Sequence, residues 1–366
     1  MAKADTLHVK TVIYSSPFVP AEWLAAHGVR PQRIRPDPAA ALPSTSPLTG
    51  VCPYARAFIG ELLAARGVDA AVLATTCDQM RRSAEWLAAS GGPPVFLLNV
   101  PATWQTPASA RMYRDELHRL GRFLVGLGGT APSREHLAKM IATYDARRAA
   151  LRGTLGDLSA RQASDAIARY DLGEECEECV DGCGTAGLPS RGESHATCPT
   201  AGQASRATLT SVDNRAHPPR STPVALVGGP LMRGDERIFD LVEQSGGRVA
   251  LDGTESGPRT LPAPVDRRRL PDDPLLELMD AYFGAIPDAF RRPDTALYQW
   301  LGRELAAGAA RGIIVWRYVW CDMWAASATR LREATGLPVL DLDVSGDESG
   351  LARTAGRIQA FMEVLR

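Results

Sequence analysis

Short, unbroken apolar runs alternate with longer amphipathic stretches along this 366-residue chain, and that alternation limits the folds open to it. Runs of strand length occupy 9–14, 70–74 and 95–100 in the first half, and 224–227, 248–251, 312–319 and 338–342 in the second. Between them lie helical patterns. Residues 55–65 carry Phe58, Leu62 and Leu63 at core spacing, and 111–127 carry Tyr113, Leu117, Leu120 and Leu124. Residues 325–334 and 351–365 close the chain in the same way. A strand that is apolar at successive positions is buried on both faces, which is the habit of a parallel sheet covered by helices. Strand–helix alternation in both halves predicts two α/β units with Rossmann-like parallel sheets flanked by helices.

The middle breaks the pattern. Residues 171–222 are rich in Gly, Ser, Thr, Pro and Cys and show no periodicity, so they read as an insertion or linker. The expected organisation is an N-terminal unit with a helical arm (1–150), a linker with a Cys-rich insertion (151–222) and a C-terminal unit (223–366). Lys and Arg number 41 against 42 Asp and Glu, so there is no basic excess for nucleic acid or an anionic membrane. No run of 18 apolar residues occurs, and the first residues lack a signal peptide's apolar region, so a cytoplasmic chain is expected. Seven cysteines are then the anomaly, because that compartment disfavours disulfides and leaves metal binding or chemistry.

Three of the cysteines are dispersed. Cys52 precedes Pro53, a residue suited to the first turn of a helix. Cys77 and Cys321 each end an apolar run and precede an amphipathic one, so they read as strand-to-helix junctions. In open parallel sheets, ligands bind in the crevice beyond the carboxyl ends of the strands. Helix N-termini also favour the thiolate, the metal-binding form. Three such thiolates with an open fourth position suit an iron–sulfur cluster that also meets substrate. Three ordinary buried thiols are the plainer account of the same spacing.

The other four are clustered. Cys176, Cys179 and Cys183 form C-x2-C-x3-C; Cys198 follows, with His195 three residues before it. Such a set can close a zinc site or hold a second iron–sulfur cluster. A metal would order a Gly-rich segment that has too little apolar surface for a core. A flexible loop with incidental cysteines is the other reading.

The segments VIYSSPFVPAEWLAAHGVRPQRI, GVCPYARAFIGELL, VLATTCDQMRR, FLLNVP and YRDELHRLGRFL resemble the 2-hydroxyacyl-CoA dehydratase and benzoyl-CoA reductase family, of the dehydratase D-component type. In the second half, VALVGGPLMRGDERIFDLVEQSGGRVALDGTESGPR, GIIVWRYVWCDMWAASATRLREATGLPVLDLDV and RIQAFMEVL look like its second unit. The resemblance covers roughly 9–150 and 223–366. It implies a [4Fe-4S] cluster on Cys52, Cys77 and Cys321. It also implies a lyase subunit acting on an acyl-CoA, a homologous second subunit or a homodimer, and a separate ATP-dependent iron–sulfur activator. In that family one injected electron yields a ketyl radical, water leaves a 2-hydroxyacyl-CoA, and the electron returns. Two alternatives stay open: a benzoyl-CoA-reductase-like subunit performing net reduction, and a non-catalytic electron-transfer or scaffold partner of a paralogous subunit. Some relatives carry a cysteine after Ile-Pro where this chain has Asp288, which speaks against the double-cubane members.

Other candidates carry weaker signals. Gly228 and Gly229 follow a strand and either let backbone approach a phosphate or simply form a turn. Arg81 and Arg82 either meet an anionic substrate such as CoA or lie on a solvated helix face. Asp78 and Asp322 each follow a dispersed cysteine and are expected to cap its helix. Trp316, Trp320 and Trp324 surround Cys321 in sequence and are expected to pack and exclude water. His27 reads as structural, and the charged stretch 134–152 as a solvated or partner-facing helix. There is no P-loop lysine motif and no G-x-S-x-G elbow, so neither an ATPase nor a serine hydrolase is expected. No catalytic base can be assigned.

Overall fold

The structure, a computed structural model, describes residues 9–42, 50–174, 221–346 and 349–366. Cys176, Cys179, Cys183, His195 and Cys198 lie outside the described residues. The first unit holds β1 (Thr11–Tyr14), β2 (Arg30–Arg33), β3 (Ala70–Ala74) and β4 (Val95–Leu98) in the order β2-β1-β3-β4. The second holds β5 (Thr222–Gly228), β6 (Gly247–Gly253), β7 (Gly312–Tyr318) and β8 (Val339–Val344) in the order β6-β5-β7-β8. Every pairing is parallel. The expected two α/β units are therefore present, each with the strand order of a doubly wound sheet. In β3, the run AAVLA is buried at every position, as a central parallel strand covered on both faces requires.

The helices of the first unit are α1 (Ala21–Ala26), α2 (Pro53–Ala64), α3 (Asp78–Ala89), α4 (Pro107–Gly126), α5 (Arg134–Leu155) and α6 (Ala160–Leu172). Those of the second are α7 (Arg237–Gln244), α8 (Pro274–Met279), α9 (Thr295–Ala307), α10 (Asp322–Thr335) and α11 (Ser349–Val364). Helix α6 opens with a reciprocal capping box between Ser159 and Gln162 and stops at Gly173, which sits in the left-handed region. Both α6 and the last turn of α5 fall in the stretch set aside as linker. Among the described residues, no helix is long and apolar enough to cross a membrane.

The charged helix at 134–152 corrects an expectation. It is not a free solvated face: Leu137, Ile141, Asp145, Arg148 and Leu151 of α5 are buried, and the helix packs on α1 and α8. Arg148, 1% exposed, pairs with Glu22 of α1, which is fully buried and also accepts the Tyr282 hydroxyl at 2.6 Å. An ion pair so enclosed stabilises only because its partners are in place, and losing one costs about 3–5 kcal/mol.

The two units share their core. One apolar cluster runs from Ile13, Phe58 and Leu73 of the first unit to Leu226, Ile314 and Leu342 of the second. Arg35 donates to Ser164 in α6 and, across the junction, to Glu236 and to the backbone oxygen of Ser256. Tyr113 of α4 stacks on Phe283, with ring centroids 4.7 Å apart. The halves are thus fused along a buried seam.

Candidate active site

In each sheet the strand order reverses between two neighbouring strands, β1 and β3 in one, β5 and β7 in the other. At such a switch point the connections leave toward opposite faces and open a crevice at the carboxyl ends. Here the two crevices face each other. A cavity of about 80 Å³ lies between them. Its walls include Ser15 and Ser16 after β1, Thr76 and Cys77 after β3, Gly229 and Pro230 after β5, and Trp320 and Cys321 after β7. Cys52, at the start of α2, completes the set of dispersed cysteines. A larger, open groove of about 850 Å³ runs past Trp23, His118 and Arg122, but holds none of them.

All three cysteines occupy helix N-cap positions, of α2, α3 and α10. Cys52 Sγ accepts the Ala55 N–H at 3.4 Å, and its own N–H goes to Gln79 Oε1 at 3.2 Å. This placement corrects the reading of Asp78 and Asp322. They are the first helical residues, not the caps, and favour their helices through the dipole alone. The thiols also behave differently from the expectation for helix N-termini. Burial pushes Cys52 and Cys321 up to about 12 and raises Cys77, outweighing the N–H groups that favour the thiolate. Charge on one sulfur would further raise the next, since Cys77 and Cys321 both act on Cys52.

Among the described residues no three His, Cys, Asp or Glu side chains are gathered tightly enough to hold a metal ion. A single ion needs all its ligands about 2.0–2.3 Å from one point. A multi-iron cluster takes each thiolate on a different iron and accepts a wider spacing. A donor set of thiols without imidazole is also that of an iron–sulfur cluster. The three thiols around one cavity therefore fit such a group better than a lone ion. Its entry would have to displace their protons, which couples binding to pH.

Two carboxyls face the same cavity. Asp288 is fixed: Arg259 Nη1 donates to its Oδ2 at 2.9 Å and Phe290 N to its Oδ1 at 3.1 Å. Glu255 has no side-chain hydrogen bond among the described residues. Burial, then the charge of Asp288, raises its carboxyl well above the usual range, against the pull of Arg33 and Arg259. The Tyr318 hydroxyl is occupied, donating to Asp235 and accepting Met232 N–H at 2.9 Å. Sequence reasoning missed Glu255. It lies two residues beyond β6, in a loop without periodicity, and its one signal was its place after the carboxyl end of a strand.

The remaining candidates divide. Gly229 lines the cavity, but its N–H is already donated to Trp316 O at 3.0 Å. Gly228 is tied to packing, because a Cβ there would lie 1.9 Å from Trp316 O. Arg81 and Arg82 are exposed on α3 outside the cavity lining, and Arg81 sits 3.6 Å from Asp78. Trp324 packs as expected and lies on the cavity wall. Trp316 is buried in the core but does not line the cavity. Trp320 does not pack: it is 59% exposed. His27 is buried against Trp23 as a structural residue, its ring nitrogen 2.7 Å from Trp23 O.

The profile of the 2-hydroxyglutaryl-CoA dehydratase D-component family matches residues 17–168 and 198–365. The match breaks across the stretch that carries Cys176, Cys179, Cys183 and His195. No curated protein matches the chain.

Proposed function

Because the chain belongs to the 2-hydroxyglutaryl-CoA dehydratase D-component family, we propose that it is a subunit of an iron–sulfur 2-hydroxyacyl-CoA dehydratase. The reaction removes the 2-hydroxyl and one proton from carbon 3 of a 2-hydroxyacyl-CoA, giving a 2-enoyl-CoA and water with no net change in redox state. The single observation that carries this reading is the convergence of Cys52, Cys77 and Cys321 on one cavity between two switch points. These three residues would hold a [4Fe-4S] cluster. When bound, that group supplies a low-potential electron on loan and a Lewis-acidic iron for the thioester carbonyl.

The chain's own residues do the rest. Phe18, Met80, Met323 and Trp324 form the apolar part of the wall and keep water from the thioester. Glu255, the cavity carboxyl without a side-chain hydrogen bond among the described residues, is placed to take and return a proton. Arg259 pairs with Asp288 and holds it beside Glu255. The partners of this reading are a homologous second subunit or second copy and a separate ATP-dependent iron–sulfur activator, in the cytoplasm. A zinc or second iron–sulfur site on Cys176, Cys179, Cys183, Cys198 and His195 belongs to the same proposal.

Anaerobic purification with iron, sulfide and zinc counts and EPR tests it, on wild type and Cys77→Ala. Iron and sulfide in wild type, with a changed EPR signal and less iron in Cys77→Ala, are expected. Wild type without iron overturns the reading. Product analysis with the activator present adds a second check: a reduced acyl-CoA instead of an enoyl-CoA would replace dehydration by net reduction.

A further inference from the structure

Trp320 stands where a tryptophan is costly twice over. Its φ is +71°, in the left-handed region that β-carbon-bearing residues avoid. The turn is fixed on both sides, by Val319 N–H to Val344 O at 3.0 Å and by Cys321 N–H to Tyr318 O at 3.1 Å. The residue is 59% exposed, and its ring makes no aromatic or cation contact among the described residues. Ala309 is the other non-glycine residue there with positive φ, and its side chain is a single methyl. Trp320 leaves most of its surface exposed and belongs to none of the hydrophobic core clusters among the described residues, so core packing does not account for a tryptophan here. Yet Trp320 lines the cavity that holds Cys52, Cys77 and Cys321. Strain kept at a functional cavity points to a ligand.

We propose that the indole of Trp320 is the platform that seats the thioester end of the pantetheine arm at the mouth of this cavity. The inference rests on the acyl-CoA reading above and assigns part of the substrate to one residue. The position selects the arm over the adenine. Trp320 is next in sequence to Cys321, so a ligand part that touches it is close to the reacting acyl group. The adenine lies a full pantetheine arm away. A flat ring with one N–H suits the planar thioester and amide groups of that arm, stacking on their faces and donating to a carbonyl.

Titration calorimetry on the purified full chain tests it. The probes are butyryl-CoA, which lacks the hydroxyl and cannot be dehydrated, and S-butyryl-N-acetylcysteamine, which lacks the adenine end. Trp320→Gly and Trp320→Ala are expected to weaken both probes about tenfold, and Trp320→Phe about threefold or less. Trp320→Gly should also melt at a higher temperature than Trp320→Ala, because glycine accepts the positive φ freely. Equal affinity in wild type and Trp320→Gly overturns the inference. So does a loss confined to butyryl-CoA, which would place the ring at the adenine end, or a variant altered only in association with a partner subunit. A wild type that binds neither probe overturns the acyl-CoA reading itself, and the two failures are thereby told apart.

Discussion

Arg33 Nη2 donates to the backbone oxygen of Glu255 at 2.8 Å, while its Nε donates to Ser15 O at 2.9 Å. One buried guanidinium from β2 thus ties together the loops after β1 and after β6, and both loops line the candidate site. It also lies 3.4 Å from Asp171, a carboxylate whose pKa burial raises and Arg33 lowers. Arg33→Met would strand that carboxylate and free the loop that presents Glu255. Unfolding in urea should show a loss of about 3–5 kcal/mol, as for other broken buried pairs. Arg33→Met with Asp171→Asn should recover part of it. A single variant as stable as wild type would remove Arg33 from this role.

Glu255→Gln tests the proton carrier. The amide keeps the size of the side chain and removes its ability to hold and release a proton. The variant should keep its melting temperature and iron content, with kcat lower by about 10²–10⁴-fold. Steady-state assay with the activator measures it. A kcat within a few-fold of wild type would hand the proton to another group.

The two glycines after β5 should part company. Gly228 is paired with Trp316 of β7, has φ +148°, and would carry its Cβ 1.9 Å from Trp316 O. Neither strand can yield, since both are central in their sheet. Gly228→Ala should destabilise by at least about 2 kcal/mol, at the upper end for overpacked cores. A Cβ on Gly229 would meet only Trp324 Cδ1, at 3.9 Å. Gly229→Ala should therefore fold normally, with any change appearing in substrate binding. Thermal melts of the pair decide it, and a Gly228→Ala protein that melts with wild type would refute the packing account.

These residues also show what the sequence could reveal. Cys77 and Cys321 each sit where an apolar run gives way to an amphipathic one, and that change of period places them beyond a strand. Strand β2 had no such signal. Its sequence is RPQR, polar because it is an edge strand whose arginine serves the seam between units. Glu255 was hidden for a related reason: loop geometry, not periodicity, aims it. The thiol pKa values went against local reasoning because the helix N-terminus is a nearby effect, and burial by the second unit is not visible from α2 or α3 alone. Trp320 looked like its neighbours Trp316 and Trp324 in sequence, and the positive φ of its turn and its exposure set it apart.

Asp235 ties stability to pH. Burial raises its carboxyl to about 6, although Tyr318 and the Met232 N–H favour the charged form. In the unfolded chain an aspartate titrates near about 3.9. Between these values the folded protein binds more protons than the unfolded one, so stability falls as pH rises from about 4 to about 6 and then levels off. Between pH 4 and pH 7 the shift corresponds to about 2 kcal/mol of lost stability. Asp235→Asn can still accept both hydrogen bonds through its amide oxygen, and it carries no charge at any pH. Other carboxylates titrate in both proteins, so the informative quantity is the difference between wild type and variant. Relative to wild type, Asp235→Asn should gain about 2 kcal/mol between pH 4 and pH 7, measured by urea unfolding across that range. A difference that stays flat would mean that Asp235 is ionised in the folded protein already at pH 4, and that burial does not control its charge.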